Sequence, residues 1–341
     1  MKKIFVAMLA LAVAAACSNE EIVSVNREAI AFDNAFINNS VRSVNDPSYT
    51  MDGTMFTSFN VFGFVQDATL FDNVPVTYAS SKWSYTNTQY WIAGAQYTFH
   101  AVAPTTANVT NAAATTTNGV TLSYTNVAGT EDLLYAYATE AGKVSGNQPV
   151  KFDFRHILSK VKFSFENAYN ASTATIQVTD VKITNAHSTA NVALNNTTTT
   201  WSGNAGKIAA IEFGDATDPE SDNYEKAYAC GTTYESANER FVIPTTNNYA
   251  FNISFVANLY INGTQVDVDA ETAGVNGYAH TATVTFAPQP GNSYDIKAVI
   301  DASNIDPNHA QEPIKFTVNS IGGWGTPENK NATINNNTAN N

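Results

Sequence analysis

Val150-Lys-Phe-Asp-Phe-Arg-His-Ile-Leu-Ser-Lys-Val-Lys-Phe-Ser-Phe165 decides the fold class. Val150, Phe152 and Phe154 alternate with Lys151 and Asp153, and Val161, Phe163 and Phe165 alternate with Lys162 and Ser164. A period of two puts apolar side chains on one face of an extended chain and polar ones on the other. The stretch therefore predicts two half-buried strands, Val150–Phe154 and Ser159–Phe165, with a break near Arg155.

The pattern recurs on both sides of this break. Upstream it is carried by Phe56–Val65, Val76–Tyr78, Trp83–Tyr85, Tyr97–Val102, Val120–Tyr124 and Leu133–Tyr137. Downstream it is carried by Ile176–Ile183, Ala193–Leu194, Ile208–Phe213, Arg240–Ile243, Tyr249–Ile261, Ala282–Phe286, Tyr294–Ile300 and Ile314–Val318. Short alternating runs spaced by roughly 10 to 20 residues, with Gly, Asn and Thr loops between them, predict β-sandwiches. No apolar stripe of helical period is sustained anywhere. Charged residues make up only 14% of the chain, and Thr, Tyr, Phe and Val, which favour strands, dominate its runs. The chain reads as all-β, and about 320 residues beyond the leader are enough for two domains, divided near Arg155.

The leader is Met1-Lys-Lys-Ile-Phe-Val-Ala-Met-Leu-Ala-Leu-Ala-Val-Ala-Ala-Ala-Cys17. Lys2 and Lys3 form a positive n-region, and Ile4 to Val13 form an apolar core too short to span a bilayer. Ala14, Ala15 and Ala16 lead into Cys17, the order of a bacterial lipoprotein signal in which the thiol is acylated and becomes the new N-terminus. Such signals usually carry Leu three residues before the Cys, where this chain has Ala14. The other reading is an ordinary secretory signal cut after the alanines, leaving a bare Cys. Removing Lys2 and Lys3 takes the formal charge from −13 to −15. That balance argues against nucleic acid and against electrostatic docking on anionic lipid. Membrane attachment would then rest on the lipid alone, and one Cys can carry more than one acyl chain. With Cys17 acylated, Cys230 has no partner for an intramolecular disulfide.

Motifs that carry chemistry are scarce. The histidines His100, His156, His187, His280 and His309 are far apart, and no zinc-protease, nucleophile-elbow, phosphate-loop or dinucleotide signature is present. His156 reads as a structural hydrogen-bonding residue. The acidic loop Asp215, Asp218, Glu220, Asp222 and Glu225 lacks the glycine and spacing of an EF-hand and reads as a solvated charge cluster. Nothing singles out a carboxylate pair for glycoside hydrolysis. Trp83, Tyr85, Tyr90 and Trp91 can stack on sugars, but their alternation suits core or groove lining better. Cys230 has no nearby basic activator and reads as inert. The expectation is a protein that is not an enzyme, with no cofactor and no metal.

Several segments share a further likeness: Trp83-Ser-Tyr85; Tyr90-Trp91-x-x-Gly94-x-x-Tyr97-x-Phe99-x-Ala101-x-x-Pro104; Val150 to Phe163; and Ile314-x-Phe316-Thr317-Val318-x-x-Ile321-x-x-Trp324. Taken together, after such a leader, they resemble the fimbrillin family of Bacteroidales, whose members build type V pili. The likeness covers nearly the whole chain, although each motif alone is only alternation with a few fixed aromatics. It implies two tandem transthyretin-like β-sandwich domains, export as a lipoprotein, removal of the first strand by a trypsin-like protease, and polymerisation by strand exchange. The implied partners are other fimbrial subunits in a head-to-tail polymer, the protease, outer-membrane lipid through Cys17, and a host or bacterial surface ligand. The implied location is the cell outer membrane and then the extracellular fimbrium.

The residues bear on that scheme directly. Ile30-Ala-Phe32 and Ile314-Lys-Phe-Thr-Val318 offer the same alternating apolar face, so one can replace the other against the same sheet edges. The removable strand is read as Ile30, Phe32, Phe36 and Ile37, and the donor strand as Ile314, Phe316, Val318 and Trp324. Only four arginines occur: Arg27, Arg42, Arg155 and Arg240. Arg155 and Arg240 adjoin predicted strands, whereas Arg42 lies in a polar loop after the first strand, so processing is expected between Arg42 and Ser43. Losing the first strand would re-expose apolar surface worth on the order of 6 to 12 kcal/mol, an upper estimate. It would also leave open sheet edges for a strand from the next subunit. A contact of that kind is heterologous and propagates as a filament.

The resulting division is a lipoprotein signal over 1–16 and a lipidated segment with the removable strand over 17–42. An N-terminal sandwich over 43–155 and a C-terminal sandwich over 156–325 follow, with the donor near 314–324 and a flexible tail over 326–341. The alternatives are a monomeric surface glycan-binding lipoprotein and a pilus tip adhesin.

Overall fold

The computed structural model describes residues 28–37, 56–214, 228–235, 238–266, 278–308, 312–323 and 330–332. The signal segment, Cys17, Arg42, Ser43, Trp324 and the acidic loop 215–225 lie outside these residues.

The regular elements of the described residues are almost all strands. It begins with β1 (Phe32–Ile37), β2 (Ser58–Val65), β3 (Ala68–Ala79), β4 (Lys82–Ser84) and β5 (Gln96–Ala103). Next come β6 (Val109–Thr115), β7 (Gly119–Thr125), β8 (Leu134–Ala141) and β9 (Val150–His156). Beyond them lie β10 (Ser159–Asn167), β11 (Ala174–Ile183), β12 (Thr189–Leu194) and β13 (Thr199–Ala205). The short β14 (Ile211–Glu212), β15 (Tyr228–Ala229), β16 (Thr233–Glu235) and β17 (Arg240–Val242) lead into the long β18 (Tyr249–Ile261). The chain closes with β19 (Thr264–Gln265), β20 (Tyr278–Phe286), β21 (Asn292–Ile300), one helical turn α1 (Ala302–Ile305), β22 (Lys315–Gly323) and β23 (Lys330–Ala332).

The N-terminal sheet runs β1-β9-β8-β5-β2-β3-β4. Its end strands β1 and β4 touch, so the sheet curls back on itself. Curling encloses Phe59, Val61, Phe71, Phe99, Phe152 and Phe154. The outer face of the same sheet is buried as well. Phe62, Phe64, Val102 and Tyr135 pack there against Val120, Leu122, Val192 and Trp201. Burial on both faces explains the near-continuous apolar runs of β2 and β5, where alternation gives way.

The second layer on that outer face is a sheet of order β13-β12-β7-β6. It joins strands from both sides of Arg155, with Val192 opposite Leu122 and Leu194 opposite Val120. The break that the sequence suggests at Arg155 is therefore bridged by a hairpin from the C-terminal half. Arg155 itself fastens the bridge. Its guanidinium donates to the carbonyls of Asn196 at 2.6 Å, Asn195 at 2.8 Å and Thr198 at 2.9 Å. It also lies 4.7 Å over the Tyr135 ring. Charge-assisted bonds of this kind contribute about 1.5–3 kcal/mol, and the guanidinium reaches these carbonyls from two nitrogens held in one plane, which a single ammonium centre does not offer. Arg155→Ala is expected to lower stability by about 1–3 kcal/mol. Arg155→Lys should recover only part of that, read as a shift in the urea midpoint at unchanged slope.

In the C-terminal half, a sheet of order β16-β10-β21-β22-β23 faces one of order β14-β11-β18-β19. Phe163, Phe165, Ile253, Phe255, Ile296 and Phe316 fill the core between them. Within the described residues the protein is thus all-β with several sheets. His156 pairs through Nδ1 with Asp132 at 2.5 Å inside this framework.

Candidate functional site

The segment ahead of β1 and β1 itself occupy a groove in the curled N-terminal sheet. Phe32 is its centre. The ring lies 5.9 Å from Phe59, 5.6 Å from Phe71, 5.5 Å from Tyr85, 6.1 Å from Phe99 and 5.8 Å from Phe152. Edge-on and stacked rings at these separations contribute beyond simple area burial. Gly63 makes room for this cluster, because a Cβ there would sit 2.5 Å from the Phe71 ring. Ile30, two residues earlier, points into the same core, as period-two geometry requires.

The main chain of the segment is tied on both sides. Ile30 N–H donates to Gln89 at 2.8 Å, Trp91 N–H to Glu28 at 3.0 Å, and Val150 N–H to Ala31 at 2.8 Å. The Tyr85 hydroxyl donates to the Ile30 carbonyl at 2.7 Å. β1 then pairs with β9 in parallel, Phe32 opposite Val150, with a register shift before Phe36 meets Asp153 and Ile37 meets Phe154. The side chains of Phe36 and Ile37 lie outside the described residues. β1 is an end strand of its sheet, so its departure would cut no other pairing.

Glu28 latches the front of the segment. Its carboxylate accepts the backbone N–H of Gly146 at 2.6 Å, that of Asn147 at 2.7 Å and the Asn147 side-chain amide at 2.6 Å. These hydrogen bonds, the Gly146 one foremost, hold the carboxyl below its ordinary value of 4.5. A carboxyl lowered in the folded state stabilises fully above its unfolded value and loses that contribution as pH falls through the lowered one. Protection of the Gly146 and Asn147 amides, taken relative to their intrinsic exchange rates, is therefore expected to fall as pH drops through that lowered value. In Glu28→Gln that protection should be lower at neutral pH and should not change with pH through the same transition. No sequence signal marked Glu28, because the loop that captures it is more than a hundred residues away in the chain.

The aromatics singled out in the sequence divide by role. Tyr85 and Trp83 line the groove, Trp83 lying 5.0 Å from Phe59. Trp91 packs edge-on to Tyr97 at 4.7 Å, while Tyr90 is exposed. Cys230 is half-buried, its thiol donating to the Tyr169 carbonyl.

Ile314, Phe316 and Val318 are placed in this chain's own C-terminal core, away from the groove. The Phe316 ring lies 6.3 Å from Phe163, 6.2 Å from Phe165 and 5.7 Å from Phe255. β22 pairs with β21 over nearly its whole length. Among the described residues its other side pairs with the short β23, over Val318 to Ser320. It is thus close to an edge, and the pairing of β16, β10 and β21 does not run through it, although the Phe316 ring packs on β10. Among the arginines, Arg155 is engaged as described and Arg240 donates to the Glu212 carbonyl at 2.7 Å. Arg27 and Arg42 lie outside the described residues.

Comparison with known proteins follows the same lines. A family model described as fimbrillin-like matches residues 48–324. No protein of curated function matches the chain. Among solved structures, a proposed cell adhesion protein from Bacteroides uniformis is 16% identical with a TM-score of 0.50, covering 88% of this chain and 99% of that one. Another from Bacteroides ovatus is 13% identical with a TM-score of 0.48, covering 92% and 99%. At 16% identity the likeness to the Bacteroides uniformis protein speaks to the fold alone. The family match spans most of the chain, and on that ground the protein belongs to the fimbrillin-like family.

Proposed function

We propose that the protein is a structural subunit of a cell-surface fimbria, a type V pilus, exported as a lipoprotein on Cys17 and built of two tandem transthyretin-like sandwiches. A trypsin-like protease cuts between Arg42 and Ser43, β1 leaves, and a strand from a neighbouring subunit takes its place. The observation that carries this reading is the groove around Phe32. It is filled by an end strand whose loss breaks no other pairing but opens an aromatic slot. An opened edge beside such a slot is a template for strand addition.

The engagement of Arg155 and Arg240 supports Arg42 as the cut site, because a protease needs an extendable loop around its target. Ile314-x-Phe316 repeats the spacing of Ile30-x-Phe32 and supplies the matching donor face. Donation requires β22 to leave its present seat. A second reading takes its support from that seat: a subunit that accepts a strand but keeps β22 would stand at the pilus tip. In either position the family implies a cell-surface location.

Mass spectrometry of the protein released from cells tests the scheme. An N-terminus at Ser43 is the expected result. An acylated Cys17 as the sole N-terminus in assembled material would overturn it.

A further inference from the structure

We propose that a cleft at the outer edge of β13 binds a neutral sugar residue. Nothing in this depends on polymerisation, since the cleft is on the opposite layer of the N-terminal half from the β1 groove. It lies between Trp201–Asn204 of β13 and the 245–249 turn, with a volume of about 250 Å³. That is below the roughly 300–1,000 Å³ of sites for drug-sized ligands, and it suits a single ring rather than a chain segment.

The lining chemistry narrows the ligand class. One wall is the His187 and Tyr249 pair, with ring centroids 4.2 Å apart and both half-buried. The floor is Trp201, whose indole N–H is already committed to the Ile157 carbonyl at 2.8 Å, leaving an apolar surface. Ser202, Asn247 and Asn248 supply side chains that both donate and accept, the complement of sugar hydroxyls. No Asp, Glu, Lys or Arg side chain lines the cleft. Burial first, and the nearby Lys207 charge after it, push the His187 imidazole down from its ordinary value, which favours the neutral ring. Lys207 is the nearest charge and is exposed outside the lining, so a charged ligand would lose hydration here with no counter-charge among the residues it touches.

The neutrality extends past the cleft. None of β6, β7, β12 and β13 carries an acidic or basic residue. From Ser202 the outward face continues to Asn191, its partner in register, whose side chain accepts from Ser123 at 2.8 Å. A longer uncharged glycan can lie along this row of hydroxyls and amides. A peptide strand is a poorer fit. Gly203, with φ of 63°, breaks the extended edge of β13, and the Asn204 amide closes onto the Pro244 carbonyl at 2.9 Å.

The experiment uses the uncleaved protein after removal of its signal segment. Saturation-transfer NMR is run against methyl mannoside, methyl galactoside and N-acetylglucosamine, with glucuronic acid as the charged comparator. Transfer to at least one neutral sugar and none to glucuronic acid is expected. In Asn247→Ala/Asn248→Ala, which alters two exposed turn residues, and in Tyr249→Ala, affinity should fall at least about tenfold. If Tyr249→Ala does not fold, the asparagine pair decides. Absence of transfer to all three neutral sugars, equal transfer to glucuronic acid, or undiminished binding by the folded asparagine variant overturns the proposal.

Discussion

Arg42→Ala is expected to leave a folded, lipid-anchored monomer that never enters a polymer. The reason is concentration rather than affinity. While β1 remains joined to the body through residues 38–55, its effective concentration at the groove is on the order of millimolar. A neighbour's strand must displace Ile30 and Phe32, whose burial is worth roughly 3 to 6 kcal/mol together. Cutting the connection turns β1 into a separable peptide held by those two side chains, the Glu28 latch and its main-chain bonds. The wild type treated with trypsin should give SDS-resistant ladders, and Arg42→Ala should give none. Ladders of normal intensity from the variant would remove Arg42 from the scheme.

Phe316→Ala is expected to destabilise the monomer by about 3–5 kcal/mol, the usual loss for a phenylalanine cut back in a packed core. Its ring is 3% exposed and surrounded by Phe163, Phe165 and Phe255. A strand held in reserve for a neighbour would give no such effect before assembly, so the monomer's denaturation curve separates the two states. If the monomer is unaffected, β22 is not seated in its own core in solution. The seat also sets the energetics of donation. Uncovering Ile314, Phe316 and Val318 costs roughly 5 to 9 kcal/mol. Seating an Ile-x-Phe pair in the next subunit's groove returns roughly 3 to 6 kcal/mol. Exchange of β22 is then short of neutral by about one apolar side chain, roughly 1.5 to 3 kcal/mol, so a stalk assembled this way needs further contacts from Val318 and the residues beyond it.

Much of the fold was legible because strand alternation is local. Val150–Phe154 and Ser159–Phe165 form β9 and β10 with the expected faces inward. Where alternation fails, so does the reading. Val109–Thr115 and Thr199–Ala205 are Thr, Asn, Ala and Ser stretches with almost no apolar period, yet they are β6 and β13. They are strands because β7 and β12 offer them edges, a property of neighbours rather than of composition. The reverse error is Ile208–Phe213, expected as one strand. Only Ile211–Glu212 pairs, while Ile208, Ile211 and Phe213 reach the core at irregular spacing from a loop.

The groove divides the same way. That Ile30 and Phe32 share one apolar face follows from their spacing of two, and a lone charge like Glu28 carried no such mark. The sequence by itself determined the strand content, the inward faces and the likeness between the opening and closing Ile-x-Phe segments, since a pleated chain fixes side-chain direction residue by residue. Tertiary structure alone decided that β1 runs parallel to β9, that a hairpin from beyond Arg155 completes the N-terminal layers, and that Phe316 rests in its own core. Those choices depend on pairing partners tens to hundreds of residues apart, whose register no local pattern encodes.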